Sequence, residues 1–258
     1  MTTFVAALRR FTLTGLLIAL LAGCAGLPTP GSRLDAESLH GAIVADHVDY
    51  VKAAIEARVA SVNERVPAPV YMEGTPLITI AARAGSKRVT AYLIAAGADL
   101  NALTPAGETA LMLASYFPTE DSGASAEDHE AVARMLVDAG ATLENEPYNY
   151  TPLAYAAYQG RESMIRYLIK RGARVNPDGT ARSTYVNTPL MMAAMRGHLN
   201  STLLLLRAGA DPKVRVVNGH TAAELAAKYN SAEVARILRC AESTGSVEIS
   251  SRRCETSR

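Results

Sequence analysis

The chain has 258 residues, with 26 Lys and Arg against 25 Asp and Glu, a formal net charge of +1. A near-neutral body lacks the electrostatic footprint of a nucleic-acid binder. It is 49% hydrophobic and 20% charged, rich in Ala and Leu and without Trp, which is the balance of a globular protein built from helices rather than sheet.

At the N-terminus Arg9 and Arg10 form a positive segment, and Phe11–Leu21 is an apolar run broken by Thr12, Thr14 and Gly15. That run is too short for an ordinary spanning helix of about 20 residues. With Leu21-Ala22-Gly23-Cys24 behind it, it has the order of a secretory signal peptide over residues 1–23. The L-A-G-C tetrapeptide resembles the lipobox of bacterial lipoproteins. The resemblance implies that Cys24 carries a diacylglyceryl thioether, that residues 1–23 are removed and that the new amine is acylated. Two or three acyl chains hold a protein stably on a membrane. Ala25 follows the Cys where an Asp is absent, which by resemblance to Gram-negative lipoproteins points to the periplasmic face of the outer membrane. Residues 24–35 contain Pro28, Pro30 and Gly31 and are expected to be a tether.

From residue 36 to 241 the chain repeats itself. Thr75-Pro76-Leu77, Thr109-Ala110-Leu111, Thr151-Pro152-Leu153, Thr188-Pro189-Leu190 and Thr221-Ala222-Ala223 align, with Thr-to-Thr spacings of 34, 42, 37 and 33. Gly97-Ala98-Asp99, Gly140-Ala141-Thr142, Gly172-Ala173-Arg174 and Gly209-Ala210-Asp211 form a second marker. Thr caps the free N–H groups of a helix and Pro tolerates the first helical position. Gly160 and Gly197 allow the turn that ends the first helix. Met164, Tyr167 and Leu168, and Leu203, Leu204 and Leu206, give the second helix its apolar stripe. One helix–turn–helix unit cannot bury its apolar faces alone, so the units must stack.

The T-P-L pattern, the small Ala-Ala pair, the Gly nine residues after the Thr, the Gly-Ala-Asp and the period near 33 resemble ankyrin repeats. The resemblance implies an all-α solenoid of about five helix–turn–helix repeats plus a degenerate N-terminal cap, roughly Ala36 to Asn63, with a tail over 242–258. Some positions depart from the pattern. The family's His after T-P-L is replaced by Thr79, Met112, Ala154, Met191 and Glu224. Gly85 falls ten residues after Thr75, so that Ile78 and Ile80 are expected to take the core positions. The second repeat has an insertion near Pro118–Ala126, and Arg58 sits where the cap unit should have Gly.

Motifs for chemistry are missing. His40, His47, His129, His198 and His220 make no metal spacing, and His198 and His220 fall at turn positions where a structural role is expected. There is no nucleophile elbow or phosphate loop. The acids Glu120, Asp121, Glu127, Asp128 and Glu130 read as a solvated loop entering a helix. We expect neither catalysis, cofactor nor metal. Cys240 and Cys254 form an even pair in an exported chain once Cys24 is lipidated. A bridge would close a loop worth about 3 kcal/mol. The alternative is a buried Cys240 and a free Cys254.

The family's inner helices and turns line a concave face, and the resemblance carries that role over by position. Three, seven and eight residues after each Thr stand Met112, Tyr116, Phe117, Tyr158, Gln159, Met191, Met195, Arg196, Lys228 and Tyr229. The turns add Tyr148, Tyr150, Arg182 and Tyr185. Tyr155 is expected in the core. Aromatic, Met and Arg side chains are enriched at interface cores, so the expected partner is a protein, the expected contact with the membrane is the N-terminal lipid, and nucleic acid is not expected. The corresponding functions are an envelope scaffold or an inhibitor of immunity type. The alternative is a structural or stress-protection component of the envelope acting without a dedicated protein partner.

Overall fold

The computed structural model describes residues 36–68, 71–116, 124–144, 150–176, 187–215 and 219–244. The signal peptide, Cys24, the tether and most of the tail lie outside them. Among the described residues no helix is long and apolar enough to cross a membrane.

Among the described residues twelve helices follow one another as six pairs. The cap pair is α1 (Ala36–Val44) and α2 (Val48–Glu56). The five repeats are α3 (Leu77–Ala84) with α4 (Lys87–Ala95), α5 (Ala110–Tyr116) with α6 (Ala126–Asp138), α7 (Pro152–Tyr158) with α8 (Glu162–Lys170), α9 (Pro189–Met195) with α10 (Leu199–Arg207), and α11 (Ala222–Lys228) with α12 (Ala232–Thr244). The first helix of each pair packs on the first helix of the next, from α1 through α11. The expected solenoid of five repeats and a cap is therefore present, and α12 runs past the expected end at residue 241.

The local chemistry behaves as the Thr-Pro signal predicts. Thr151, Thr188 and Thr221 accept from the backbone N–H three residues on, at 3.2, 3.2 and 3.3 Å. Thr221 and Glu224 complete a capping box, as do Ser125 and Asp128 at the head of α6. The acids expected to lead into a helix thus do so at Glu127 and Asp128, in its first turn, where the positive end of the helix dipole favours them.

Two features were not expected. Arg65–Ala68 (β1) and Tyr71–Pro76 (β2) form an antiparallel hairpin with an irregularity between Val66 and Ala68. Thr75 is drawn into it and does not cap α3; Pro76 takes the N-cap and Thr79 Oγ1 donates to the Pro76 carbonyl at 2.7 Å. This is how the repeat absorbs its extra residue, and Ile78 and Ile80 are buried as expected. In the cap pair, Asp46 (φ 54°) and Arg58 (φ 57°) adopt the left-handed conformation that Gly85, Gly160 and Gly197 supply in later repeats and Asn230 in the last, at a cost of about 1–2 kcal/mol each.

Stacking buries a continuous core in which Leu111, Leu153, Ile165 and Leu168 are wholly shielded, each worth roughly 1.5–3 kcal/mol. Polar rungs join the repeats as well. The Asp99, Thr142, Arg174 and Asp211 amides donate to Asn63, Asn101, Glu144 and Asn176 in the preceding unit, at 2.8, 2.9, 2.7 and 2.8 Å. Near the ends of the inner helices, Ser86 Oγ donates to Ile43 O at 2.7 Å, and His129 Nε2 and His198 Nε2 hydrogen-bond to Arg83 O and Tyr158 O, both at 3.0 Å. These carbonyls lie in the last turn of their helices, where intrahelical donors run out; that of Ile43 also accepts from the Asp46 amide at 3.1 Å. Gly160 is required here twice over. Its φ is +69°, and a Cβ would sit 2.7 Å from His198 Nδ1.

Candidate functional site

A helix whose apolar face is packed on two neighbours leaves one stripe open. In α7 the buried residues are Pro152, Leu153, Ala154, Ala156 and Ala157, while Tyr155 and Tyr158 are only half-buried. These two are three apart and share a face. The same positions in α5 and α9 hold Leu113 and Tyr116, and Met192 and Met195. Leu113 is buried; the other five, with the residues just before the Thr, Glu108 and Tyr150, make the wall of a groove. Glu108, Tyr116, Tyr150, Tyr155, Tyr158, Met192 and Met195 enclose a cavity of about 400 Å³ spanning the second to fourth repeats.

The tyrosine rings pack on one another. Tyr116 meets Tyr155 edge-on with centroids 5.2 Å apart and lies nearly parallel to Tyr158 at 6.3 Å; Tyr150 meets Tyr155 edge-on at 5.8 Å. These are the favoured arrangements of aromatic quadrupoles. The Arg196 guanidinium lies 5.0 Å from the Tyr158 ring centroid, a cation–π contact. Asn187 Nδ2 donates to Met195 Sδ at 3.5 Å. His198 holds the carbonyl of Tyr158 from the next repeat. Burial lowers the His198 pKa, the bond to Tyr158 opposes the shift and Arg196 adds to it. Burial thus disfavours the charged ring where it supports the groove.

Of the residues expected to face the groove, Tyr116, Tyr150, Tyr158 and Met195 line the cavity; Arg196 is outside the lining and lies against the Tyr158 ring. Met112 and Met191 do not face the groove: they are 0% and 1% exposed. The physical reason lies in the last repeat. There the residue three after the Thr is Glu224 and the residue six after it is Ala227, and both are exposed. The corresponding Met112 and Ser115, Ala154 and Ala157, and Met191 and Ala194 are covered. These positions face along the stack toward the following repeat, and only the last repeat has none. Met112 Sδ also accepts from the Thr109 amide at 3.4 Å, which ties it to the helix start. The groove position is the fourth after the Thr. Tyr155 stands there, so it lines the cavity and is not a core residue. The sequence did hold the signal: Glu224 is charged at a position where the interior repeats carry Thr, Met, Ala and Met.

Phe117, Tyr148, Arg182 and Tyr185 lie outside the described residues, as does Cys254. Cys240 is disulfide-bonded, and its partner lies outside the described residues. Among the described residues no group of three or more His, Cys, Asp and Glu is placed to hold a metal ion.

Known proteins match the same region. The family pattern described as ankyrin repeats in three copies matches residues 122–179 and 177–249, and the single ankyrin repeat pattern matches residues 74–105. The chain belongs to the ankyrin-repeat family. It is 38% identical over 98 residues to the palmitoyltransferase Hip14 of Drosophila melanogaster, covering 36% of this chain and 15% of that protein. It is 36% identical over 108 residues to an ankyrin repeat-containing protein of Treponema pallidum, covering 42% and 35%, and 34% identical over 113 residues to dauer abnormal formation protein 25 of Caenorhabditis elegans, covering 43% and 28%. The aligned stretches thus take in no more than about a third of these relatives. Those named palmitoyltransferases match through their ankyrin region alone. Ankyrin repeats are typically non-catalytic modules for protein–protein interaction.

Proposed function

We propose that this ankyrin-repeat protein is a lipid-anchored binder of the bacterial cell envelope, a scaffold or an inhibitor, that captures one protein partner in the groove of its second to fourth repeats without chemistry of its own. The observation that carries the reading is the tyrosine-lined cavity of about 400 Å³. An interior-quality wall of Tyr and Met is left open to solvent where the resemblance predicts the binding face. Aromatic anchors of this kind dominate interface energetics. The Arg9-Arg10, apolar run and Leu21-Ala22-Gly23-Cys24 order supports export and anchoring through Cys24, on the periplasmic face of the outer membrane.

Two experiments test it. The first places a photo-crosslinking residue at Met195 and irradiates intact cells; a single protein adduct is expected, and it is lost when the same chain also carries Tyr116→Ala and Tyr158→Ala. A folded double variant that captures the adduct at the same yield overturns the groove as the binding face. Adducts with lipid or cell wall alone overturn the protein partner and leave an envelope component. The second is mass analysis of the mature N-terminus beside a Cys24→Ser variant. A chain that begins at an acylated Cys24 is expected, and an unmodified N-terminus overturns the anchor.

A further inference from the structure

The near-neutral total of the chain hides a division along the stack. Residues 36–149, the cap and the first two repeats, carry 16 Asp and Glu against 7 Lys and Arg. Residues 150–244, the last three repeats, carry 6 against 13. The solenoid is thus acidic toward its first end and basic toward its last. An acidic partner is repelled by the first end and drawn to the last, and complementarity of this kind orients docking and speeds encounter.

Two cations stand at the basic border of the groove. Arg196 is the C-cap of α9 and Lys228 ends α11, so they occupy the same end of inner helices that pack side by side. Both are exposed, and among the described residues neither is in an ion pair. A cation at a helix C-terminus is favourable without any ligand, so position alone selects nothing. The way Arg196 is held does select. Its guanidinium lies 5.0 Å from the Tyr158 ring centroid, and Tyr158 lines the cavity with Tyr116 and Met195. A guanidinium on a ring keeps its edge donors for a carboxylate. The chain shows that arrangement complete at two other places. Arg134 lies 4.2 Å over Tyr167 and pairs with Glu130 at 2.6 Å, and Arg171 lies 5.8 Å from the same ring and pairs with Asp138 at 3.1 Å. Arg196 has the ring and lacks the carboxylate.

We propose that the partner protein supplies it: an acidic segment lies along this border, with one carboxylate on Arg196, another near Lys228, and an apolar side chain beside Tyr116, Tyr158 and Met195. The inference rests on the reading of the groove as a protein-binding face. A protein segment is favoured over an anionic membrane because the ring that holds Arg196 also lines a cavity, which a side chain can enter and a flat layer of headgroups cannot.

The experiment uses the full chain with ring-labelled tyrosine and follows the Tyr158 signals by NMR, assigned through Tyr158→Phe. The probes are acetyl-Glu-Leu-Glu-Glu-Leu-Glu-amide, its Gln and Lys counterparts, and phosphatidylglycerol vesicles. The Glu peptide is expected to shift the Tyr158 signals, with the Gln and Lys peptides several-fold weaker, and high salt is expected to remove most of the difference. Arg196→Gln is expected to weaken the Glu peptide about tenfold and Lys228→Gln about threefold. Lys52→Gln in α2, the same loss of charge at the acidic end, is expected to leave it unchanged. A Gln or Lys peptide that binds as tightly as the Glu peptide overturns the proposal. So does a Glu affinity unchanged in a folded Arg196→Gln variant, or lowered as much by Lys52→Gln, which would reduce the effect to net charge. Vesicles that shift Tyr158 where the Glu peptide does not overturn it in favour of a membrane. If Met195 crosslinks a protein in cells but the Glu peptide does not bind, the acidic inference falls and the binding function stands. If the Glu peptide binds but no protein crosslinks, the binding function falls and the carboxylate contact stands.

Discussion

Tyr167 on α8 and the four tyrosines of the groove show one chemistry in two conditions. Tyr167 is closed in: Arg134 and Arg171 lie 4.2 and 5.8 Å from its ring centroid, and its hydroxyl donates to Asp138 at 2.7 Å. Arg171 also pairs with Asp138 at 3.1 Å, and Glu130 bridges Arg134 and Ser163 at 2.6 and 2.5 Å. This face joins the second helices of adjacent repeats and completes itself within the chain. The groove tyrosines pack on each other, and Arg196 reaches one of them, but together they border a cavity. The difference teaches where to look for a partner. Aromatic residues mark a site when their surroundings leave room, and mark structure when charges of the same chain have already taken the positions around them.

The largest effect that separates the two conditions concerns neighbouring methionines of α9. Met191 faces the next repeat and Met195 faces the groove. Met191→Ala is expected to cost about 2–5 kcal/mol of unfolding free energy, the range for a deleted core side chain. Met195→Ala is expected to cost less than about 1 kcal/mol and to weaken partner capture instead. Urea denaturation read by circular dichroism checks both. Equal losses would mean that the groove wall is part of the core.

A smaller contrast follows for the aromatic rings. Tyr167→Ala removes the ring that two guanidinium groups share and a hydroxyl partner of Asp138, and is expected to lower stability by about 1–3 kcal/mol while leaving capture intact. Tyr158→Ala is expected to do the reverse, with capture reduced at least tenfold and stability changed by less than about 1 kcal/mol. Measuring both quantities on both variants sharpens the comparison, because a residue that fails in both cannot be assigned to either condition.

Much of this was legible in the sequence. Thr151, Thr188 and Thr221 announce helix starts through a local hydrogen bond, and Gly160 and Gly197 announce turns through a backbone conformation; both effects reach only a few residues. The facing of an inner helix depends on what stacks on it, which is not local. Met112 and Met191 were therefore one position out of place, and Tyr155 was assigned to the core. The hairpin was hidden for another reason. Pro67 and Pro76 argue against a strand, yet a two-stranded hairpin has only edges, where proline is tolerated. Arg58 could not be recognised as the glycine equivalent because nothing local in its side chain favours a positive φ.

Acid provides a third contrast, smaller than the first two. His198 touches the groove through Tyr158, and burial holds its pKa below the ordinary value of 6.5. The unfolded ring takes a proton more readily than the folded one. Its contribution to stability is therefore full above pH 6.5 and falls as the pH drops below that value toward the folded pKa. His40 in α1, also lowered by burial, acts in the same direction. The urea midpoint is expected to be lower at pH 5.5 than at pH 8, and His198→Gln is expected to shrink that difference. A midpoint that rises on acidification would show that the charged ring is the one the repeats hold.

The smallest effect belongs to an outer contact far from the tyrosines. Lys87 at the start of α4 pairs with Asp128 in the first turn of α6 at 2.5 Å. The hydrogen bond from Lys87, joined by those from Ser125, brings the Asp128 carboxyl from 3.8 down to about 2. A carboxylate favoured in the folded state contributes stability that is present above pH 3.8 and is lost as the pH falls toward 2. Both partners stand in solvent, where side-chain entropy and salt remove most of the Coulomb gain. Asp128→Asn is thus expected to lower Tm by no more than about 3 °C, and by less in high salt. The variant should capture the partner as the parent chain does, since its loss is confined to a contact that the chain closes on itself. A loss of capture in this variant with Tm unchanged would show that the outer face also takes part in binding, and the division between a closed face and an open groove would have to be redrawn there.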